Sequence, residues 1–260
     1  MVAPRGRISY RHRPGSEKTM ADFHWLPEAG RISPEVYRVN DEPSSRGSPT
    51  VKILVVSDVI SRVVYSEGIR NRFGDVDLAL SCGDLPYYYL EYIVSMLDVP
   101  LLYVHGNHDR PLQTERGEIP EPQGCISVEE RVVKMKGLLI AGLGGSIRYN
   151  SSGIYQYTER EMRWRLAKLS PRLWRNRLLY GRALDVFIAH SPPRGIHDQK
   201  DRPHHGFDTF RYLIHRYRPR YFIHGHSYPR MGVPERSRVD ETEVIHVYGY
   251  KVLEVSIGTA

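Results

Sequence analysis

Cysteine is nearly absent. Cys82 and Cys125 are the only two in the 260-residue chain, too few for a disulfide framework, and their spacing matches no zinc module. The expected compartment is therefore reducing and cytoplasmic. Long apolar runs are missing as well. None approaches the ~20 residues a membrane span needs, so no span is expected. The opening "MVAPRGRISYRHRPGSEK" is positively charged but has no apolar stretch behind it, which argues against a secretory signal. No internal repeat is present. What remains is ordinary globular composition, 40% hydrophobic and 26% charged, long enough to bury one full core.

Charge is in excess on one side, +7 overall, and unevenly placed. Between Tyr155 and Arg182 eight Lys/Arg face two Glu, so that segment alone contributes +6. Such a face attracts nucleic acid, an acidic membrane surface or a phosphorylated substrate, or it simply solubilises a helix. Residues 1–50 lack apolar periodicity and read as an irregular extension, with "FHWLPEAG" as a docking segment. The domain proper is expected over 51–260. There, short β-branched runs recur at "VKILVVS", "DLALSC", "PLLYVHG", "GLLIAGLGG", "DVFIAH" and "RYFIHGH", as strands buried on both faces do. "EVIHVYGY" and "KVLEVSIG" alternate more and suggest a closing hairpin or sheet edge. Helical spacing marks "PYYYLEYIVSML" and "HHGFDTFRYLIHRYRP". Thr158 and Glu161 form a capping box, and Ser170 with Pro171 opens a second helix, which predicts a basic helical hairpin at about 158–182. Strand and helix alternation predicts an α/β layered domain.

Polar residues collect where the apolar runs end. Asp58 follows the first, Gly83 and Asp84 the second, His105 to Asp109 the third, His190 the fifth, and His224 to His226 the sixth. One such ending is a common cap or turn, but five that all offer oxygen or imidazole are not produced that way. Carboxylate, carboxamide and imidazole without thiolate suit Mn, Fe, Zn, Ni or Co. A carboxylate such as Asp84 can bridge two cations ~3.5–4 Å apart, the arrangement that activates water and clamps a phosphoryl group. Weaker candidates are the "GLGGS" amides at 142–146 for an anion, Arg148 and Tyr149 for substrate contact, and the Tyr87–Tyr89 run, read mainly as core. His105 reads as a core histidine, and His204, His205 and His215 as surface residues.

In order and context, "SD", "CGD", "GNHD", "AHSPP" and "GHSYP" resemble the motifs of the calcineurin-like metallophosphoesterases. The resemblance runs from about Val51 to Gly258, and the "HSPPRGIHD" to "FIHGH" stretch looks most like the small-phosphodiesterase branch. It implies a four-layer α/β/β/α sandwich, two mixed β-sheets flanked by helices, around a dinuclear centre of divalent metal ions that hydrolyses phosphomonoesters or phosphodiesters. Carried over by position, Asp84 bridges, while Asn107, His190 and His226 complete one metal site and Asp58 ligates the other. His108 stabilises the phosphate or protonates the leaving oxygen, with Asp109 orienting its ring, and a metal-bound hydroxide attacks phosphorus in line.

Two positions depart from the pattern. Ile60 stands where the first motif has a metal-binding His, and Tyr228 replaces the second His of the last motif. Both losses fall on one site. Either a single ion does the work, or Tyr228, His224, His197 or water replaces the missing ligands, or the register shifts so that His224 and His226 form the pair. Mn²⁺ and Mg²⁺ best tolerate a site left to carboxylates, and Mn is favoured. The resulting expectation is a metal-dependent phosphoesterase acting on a small phosphorylated substrate, a diester ahead of a monoester. A non-catalytic metal-containing binding protein and a nuclease using the basic segment are the alternatives. Oligomeric state is left open.

Overall fold

The computed structural model describes residues 49–114, 117–119, 121–151, 153–229 and 234–257, so the expected N-terminal extension and its docking segment lie outside the described residues. The chain runs through β1 (Thr50–Ser57), α1 (Ile69–Phe73), β2 (Leu78–Ser81), α2 (Tyr87–Leu97) and β3 (Leu101–Tyr103). A ribbon of β4 (Leu112–Thr114) and β5 (Gly117–Ile119) precedes β6 (Ile126–Ser127), β7 (Val132–Met135) and β8 (Leu138–Leu143). Next come the short pair β9 (Ser146–Ile147) and β10 (Gln156–Tyr157), then α3 (Glu159–Tyr180), β11 (Val186–Ala189) and α4 (Asp208–Tyr217). The chain closes with β12 (Tyr221–His224), β13 (Arg236–Val239), β14 (Thr242–His246) and β15 (Gly249–Ser256).

Two mixed sheets form. One has the order β15-β1-β2-β3-β6 and the other β13-β14-β12-β11-β8-β7. Strand period 2 divides each strand between two layers. Ile53 and Val55 of β1 meet Ile140, Ile188 and Ile223 of the second sheet between the sheets, while Leu54 and Val56 turn outward onto α1 and α2. On the far side Phe187 and Phe222 pack against Leu166 and Leu173 of α3 and Phe210 of α4. Helices thus cover both outer faces, giving the α/β/β/α sandwich.

Two details differ from the sequence reading. The expected basic hairpin at 158–182 is one 22-residue helix, α3, with Pro171 inside it. Thr158 and Glu161 do form the capping box, but Ser170 donates its hydroxyl to Leu166 O at 3.2 Å instead of opening a new helix. Met162, Leu166, Leu169, Leu173 and Asn176 make one unbroken buried stripe. Burying Leu169 and Leu173 is worth ~1.5–3 kcal/mol each, which offsets the ~3 kcal/mol an interior proline costs. The helix stops where Gly181 takes φ 69. Of the two alternatives for the last two strands, hairpin or sheet edge, they form no hairpin, but β15 does edge the first sheet beside β1, while β14 lies inside the second beside β12.

Candidate metal centre

Parallel strands bring the polar endings together. In one sheet Val56 pairs with Ser81 and Ser81 with Tyr103. In the other, Leu143 and His224 both pair with Ala189. The five endings therefore leave the two sheets at one edge, one to four residues beyond matched positions. Three of them need left-handed backbone in residues other than glycine: Asp58 at φ 64, Asp84 at φ 56 and His226 at φ 70. Such conformations cost energy and gather where a site over-determines them. Gly106 has to be glycine because a Cβ there would sit 1.9 Å from Asp84 Oδ1.

One ligand atom each from Asp84, His190 and His226 lies within 4.8 Å of the others. His190, His226 and the adjoining Asn107 are each aimed by a partner. His190 Nδ1 donates to Cys82 O at 2.8 Å, leaving Nε2 3.2 Å from Asp84 Oδ2 and 3.0 Å from Asn107 Oδ1. His226 Nε2 donates to Pro203 O at 2.7 Å, which leaves Nδ1 as its open nitrogen. Asn107 donates from Nδ2 to the Tyr149 hydroxyl at 3.1 Å, so its carbonyl oxygen is the end that faces His190. Two oxygens and two imidazole nitrogens with no sulfur suit a divalent first-row cation. Burial opposes charge on His190, yet the Asp84 carboxylate beside it holds its pKa up at about 9. That proton sits among the donors, where a cation would replace it.

Asp58 stands apart from this group. Both its oxygens accept the His226 N–H, at 3.1 and 3.0 Å, and enclosure pushes its carboxyl up to about 6 against the pull of His190 and Ser57. Ile60 packs half-buried against the α1–α2 layer. Tyr228 is 62% exposed, its ring edge against His204 and 5.7 Å from the ring of Tyr248. His224, considered as a ligand, points elsewhere. Its Nε2 meets His197 Nδ1 at 3.0 Å and its ring stacks on His246, so neither His224 nor His197 joins Asp58.

His108 is exposed at the rim, and its N–H donates to Asp84 Oδ1 at 2.7 Å. Asp109 does not orient the His108 ring. Its buried carboxylate accepts the N–H groups of Gly106 at 2.8 Å, Leu85 at 3.1 Å and Asp84 at 3.3 Å. Three backbone donors pointing inward outcompete a ring that solvent can satisfy.

Sequence reasoning missed the Cys82 and Pro203 carbonyls, which carry no side-chain signal. It also placed His204 on the surface, whereas its ring lies 5.1 Å from that of His226. The "GLGGS" turn does bind an anion, one belonging to the chain itself: Gly144 N–H donates to Glu129. Burial would raise the Glu129 carboxyl, but the His105 ring and the Arg165 guanidinium hold it below the usual range. Arg165 thereby ties α3 to the third strand ending.

A family model described as calcineurin-like phosphoesterase matches residues 51–230. The chain belongs to the calcineurin-like phosphoesterases. As a calcineurin-like phosphoesterase it falls in a family of metal-dependent phosphoester hydrolases. The protein TT1561 of Thermus thermophilus has the same fold, at 16% identity and TM-score 0.54 over 81% of this chain and 100% of that one. More distant likenesses include Vps29 of Entamoeba histolytica, 14% identical over 76% of this chain and 74% of that one, TM-score 0.37. The calcineurin-like phosphoesterase YfkN of Bacillus subtilis is 12% identical over 81% and 92%, TM-score 0.33. No curated protein sequence matches the chain.

Proposed function

We propose that this chain hydrolyses a phosphodiester at a centre holding one divalent cation, with Mn²⁺ the favoured ion. The observation that carries the reading is the convergence of Asp84, Asn107, His190 and His226, three of them oriented by a second partner. A bound cation supplies Lewis acidity toward the phosphoryl oxygens and toward water. His108, free of ligand duty and held at the rim by Asp84, is the group placed to protonate the departing oxygen. Asp109 braces the two loops beneath. Ile60 and Tyr228 leave Asp58 without imidazole partners, which favours one ion over two. A diester carries one negative charge where a monoester carries nearly two, so a single cation suits the diester better.

The test is turnover of bis-p-nitrophenyl phosphate against p-nitrophenyl phosphate with added Mn²⁺. The diester should be the better substrate, with Asp84→Ala inactive and His108→Ala strongly impaired. Cation binding with no turnover of either ester across a panel of divalent metals would mean a binding protein instead.

A further inference from the structure

Helix α3 has a second apolar face that hydrolysis does not use. Trp164, Ala167, Pro171, Trp174 and Leu178 recur at spacings of three and four, opposite the buried stripe, and run ~21 Å along the helix. Trp164 is 68% exposed, Leu178 83% and Leu179 64%. Tyr212 of α4 extends the patch at 58%, and Arg216 lies 4.6 Å over the Trp174 ring.

Cations surround this face. No Asp or Glu occurs from Met162 to Tyr180. Arg165 and Lys168 pair with Glu129 and Glu130. Among the described residues no carboxylate forms an ion pair with Arg172, Arg175 or Arg177, all exposed. The nearby acids, Glu159, Glu161 and Asp208, lie toward the N-terminal end of α3.

We infer that this face docks flat onto an anionic lipid bilayer. Two copies of the chain meeting here would oppose like charges. A nucleic acid would engage the arginines but leave Leu178 and Leu179 in water. Only a surface with anionic headgroups above hydrocarbon uses both the basic flanks and the aliphatic and indole side chains. The helix lies on the surface; no helix among the described residues is long and apolar enough to cross. This inference does not depend on the ester hydrolysed.

The experiment is co-sedimentation of the full chain with vesicles of phosphatidylcholine alone and with phosphatidylserine added. The chain should pellet with the anionic vesicles only, and release as salt is raised. Trp164→Glu with Leu178→Glu should weaken binding at least about tenfold, with the circular dichroism spectrum unchanged. Should that double variant misfold, Arg172→Glu with Arg175→Glu reads the charge half alone and should weaken binding likewise. Equal binding to neutral vesicles, or undiminished binding by a folded variant, overturns the inference. So does retention of single-stranded RNA without vesicle binding, or a dimer in sedimentation that the variants dissolve.

Discussion

The carboxylate of Asp109 accepts the backbone N–H of Asp84, 25 residues away, at 3.3 Å. Through this bond and those to Gly106 and Leu85, it fixes the loop that presents Asp84 against the loop that presents Asn107. Asp109→Asn would turn one accepting oxygen into a donor facing donors, and a buried group left unsatisfied costs ~1–3 kcal/mol. The variant should lose about 2 kcal/mol in urea unfolding and bind Mn²⁺ more weakly in calorimetry. His108→Ala should keep its Mn²⁺ affinity while turnover falls ~10²–10⁴-fold. If Asp109→Asn lowers turnover alone, with stability and metal affinity intact, Asp109 acts on His108 after all.

The second prediction concerns ion count. Wild-type chain should bind one Mn²⁺ per molecule by calorimetry and by elemental analysis after desalting. Ile60 lies two residues beyond Asp58 and Tyr228 two beyond His226, whose N–H Asp58 accepts, at the two positions where imidazoles are lacking. Installing both, Ile60→His with Tyr228→His, should add a second, weaker ion, since two nitrogens then join the Asp58 carboxylate. Either single variant should fall short. Two tight ions on the wild-type chain would sink the one-cation reading.

Much of this was legible in the sequence for identifiable reasons. β-branched runs announce buried strands, and Asp84, Asn107, His190 and His226 announce themselves by following such runs at one sheet edge. The unread parts depend on tertiary contacts. Pro171 and Ser170 carry a local signal to break the helix, and the continuous stripe of Leu166, Leu169 and Leu173 against Phe187 overrides it. The role of Asp109 was misread because its sequence neighbour His108 looked like its partner, when amides from two loops were nearer. Tyr149, 42 residues from Asn107, has no local mark that it holds the carboxamide.

Gly225 supports a third prediction. A Cβ there would lie 2.0 Å from Ser57 Oγ and 2.4 Å from Asp58 Oδ2, at the point where the two sheets' loops touch. Gly225→Ala must push apart Asp58 and the His226 backbone it accepts. The expected cost is about 1–3 kcal/mol in urea unfolding, with weaker Mn²⁺ binding because His226 moves. Adding Ser57→Gly removes the nearer clash and should recover part of the loss. Full stability in Gly225→Ala would show that the loops have slack.

The last prediction is a pH dependence. His224 Nδ1 lies 3.0 Å from Gly225 O, which only accepts, so Nδ1 donates there and Nε2 accepts from His197 Nδ1 at 3.0 Å. His197 Nε2 in turn accepts the Ser237 hydroxyl at 2.8 Å. Both rings are thus neutral in the fold. Burial, then the nearby His246, pushes the His197 pKa down to about 4. The unfolded chain binds the proton more tightly, at its ordinary ~6.5, so this contribution to stability is present above that pH. It is lost as pH falls from about 6.5 toward 4. His190, whose pKa is raised, works in the opposite sense between about 6.5 and 9, so wild-type stability alone does not isolate the effect. The informative quantity is a difference: urea unfolding of metal-free wild type and His197→Gln, each near pH 7.5 and near pH 5. Wild type should lose more on acidification than His197→Gln, because His224, His226 and His246, also lowered by burial, titrate in both and only wild type adds His197. Equal losses would mean that His197 is not held neutral by the fold.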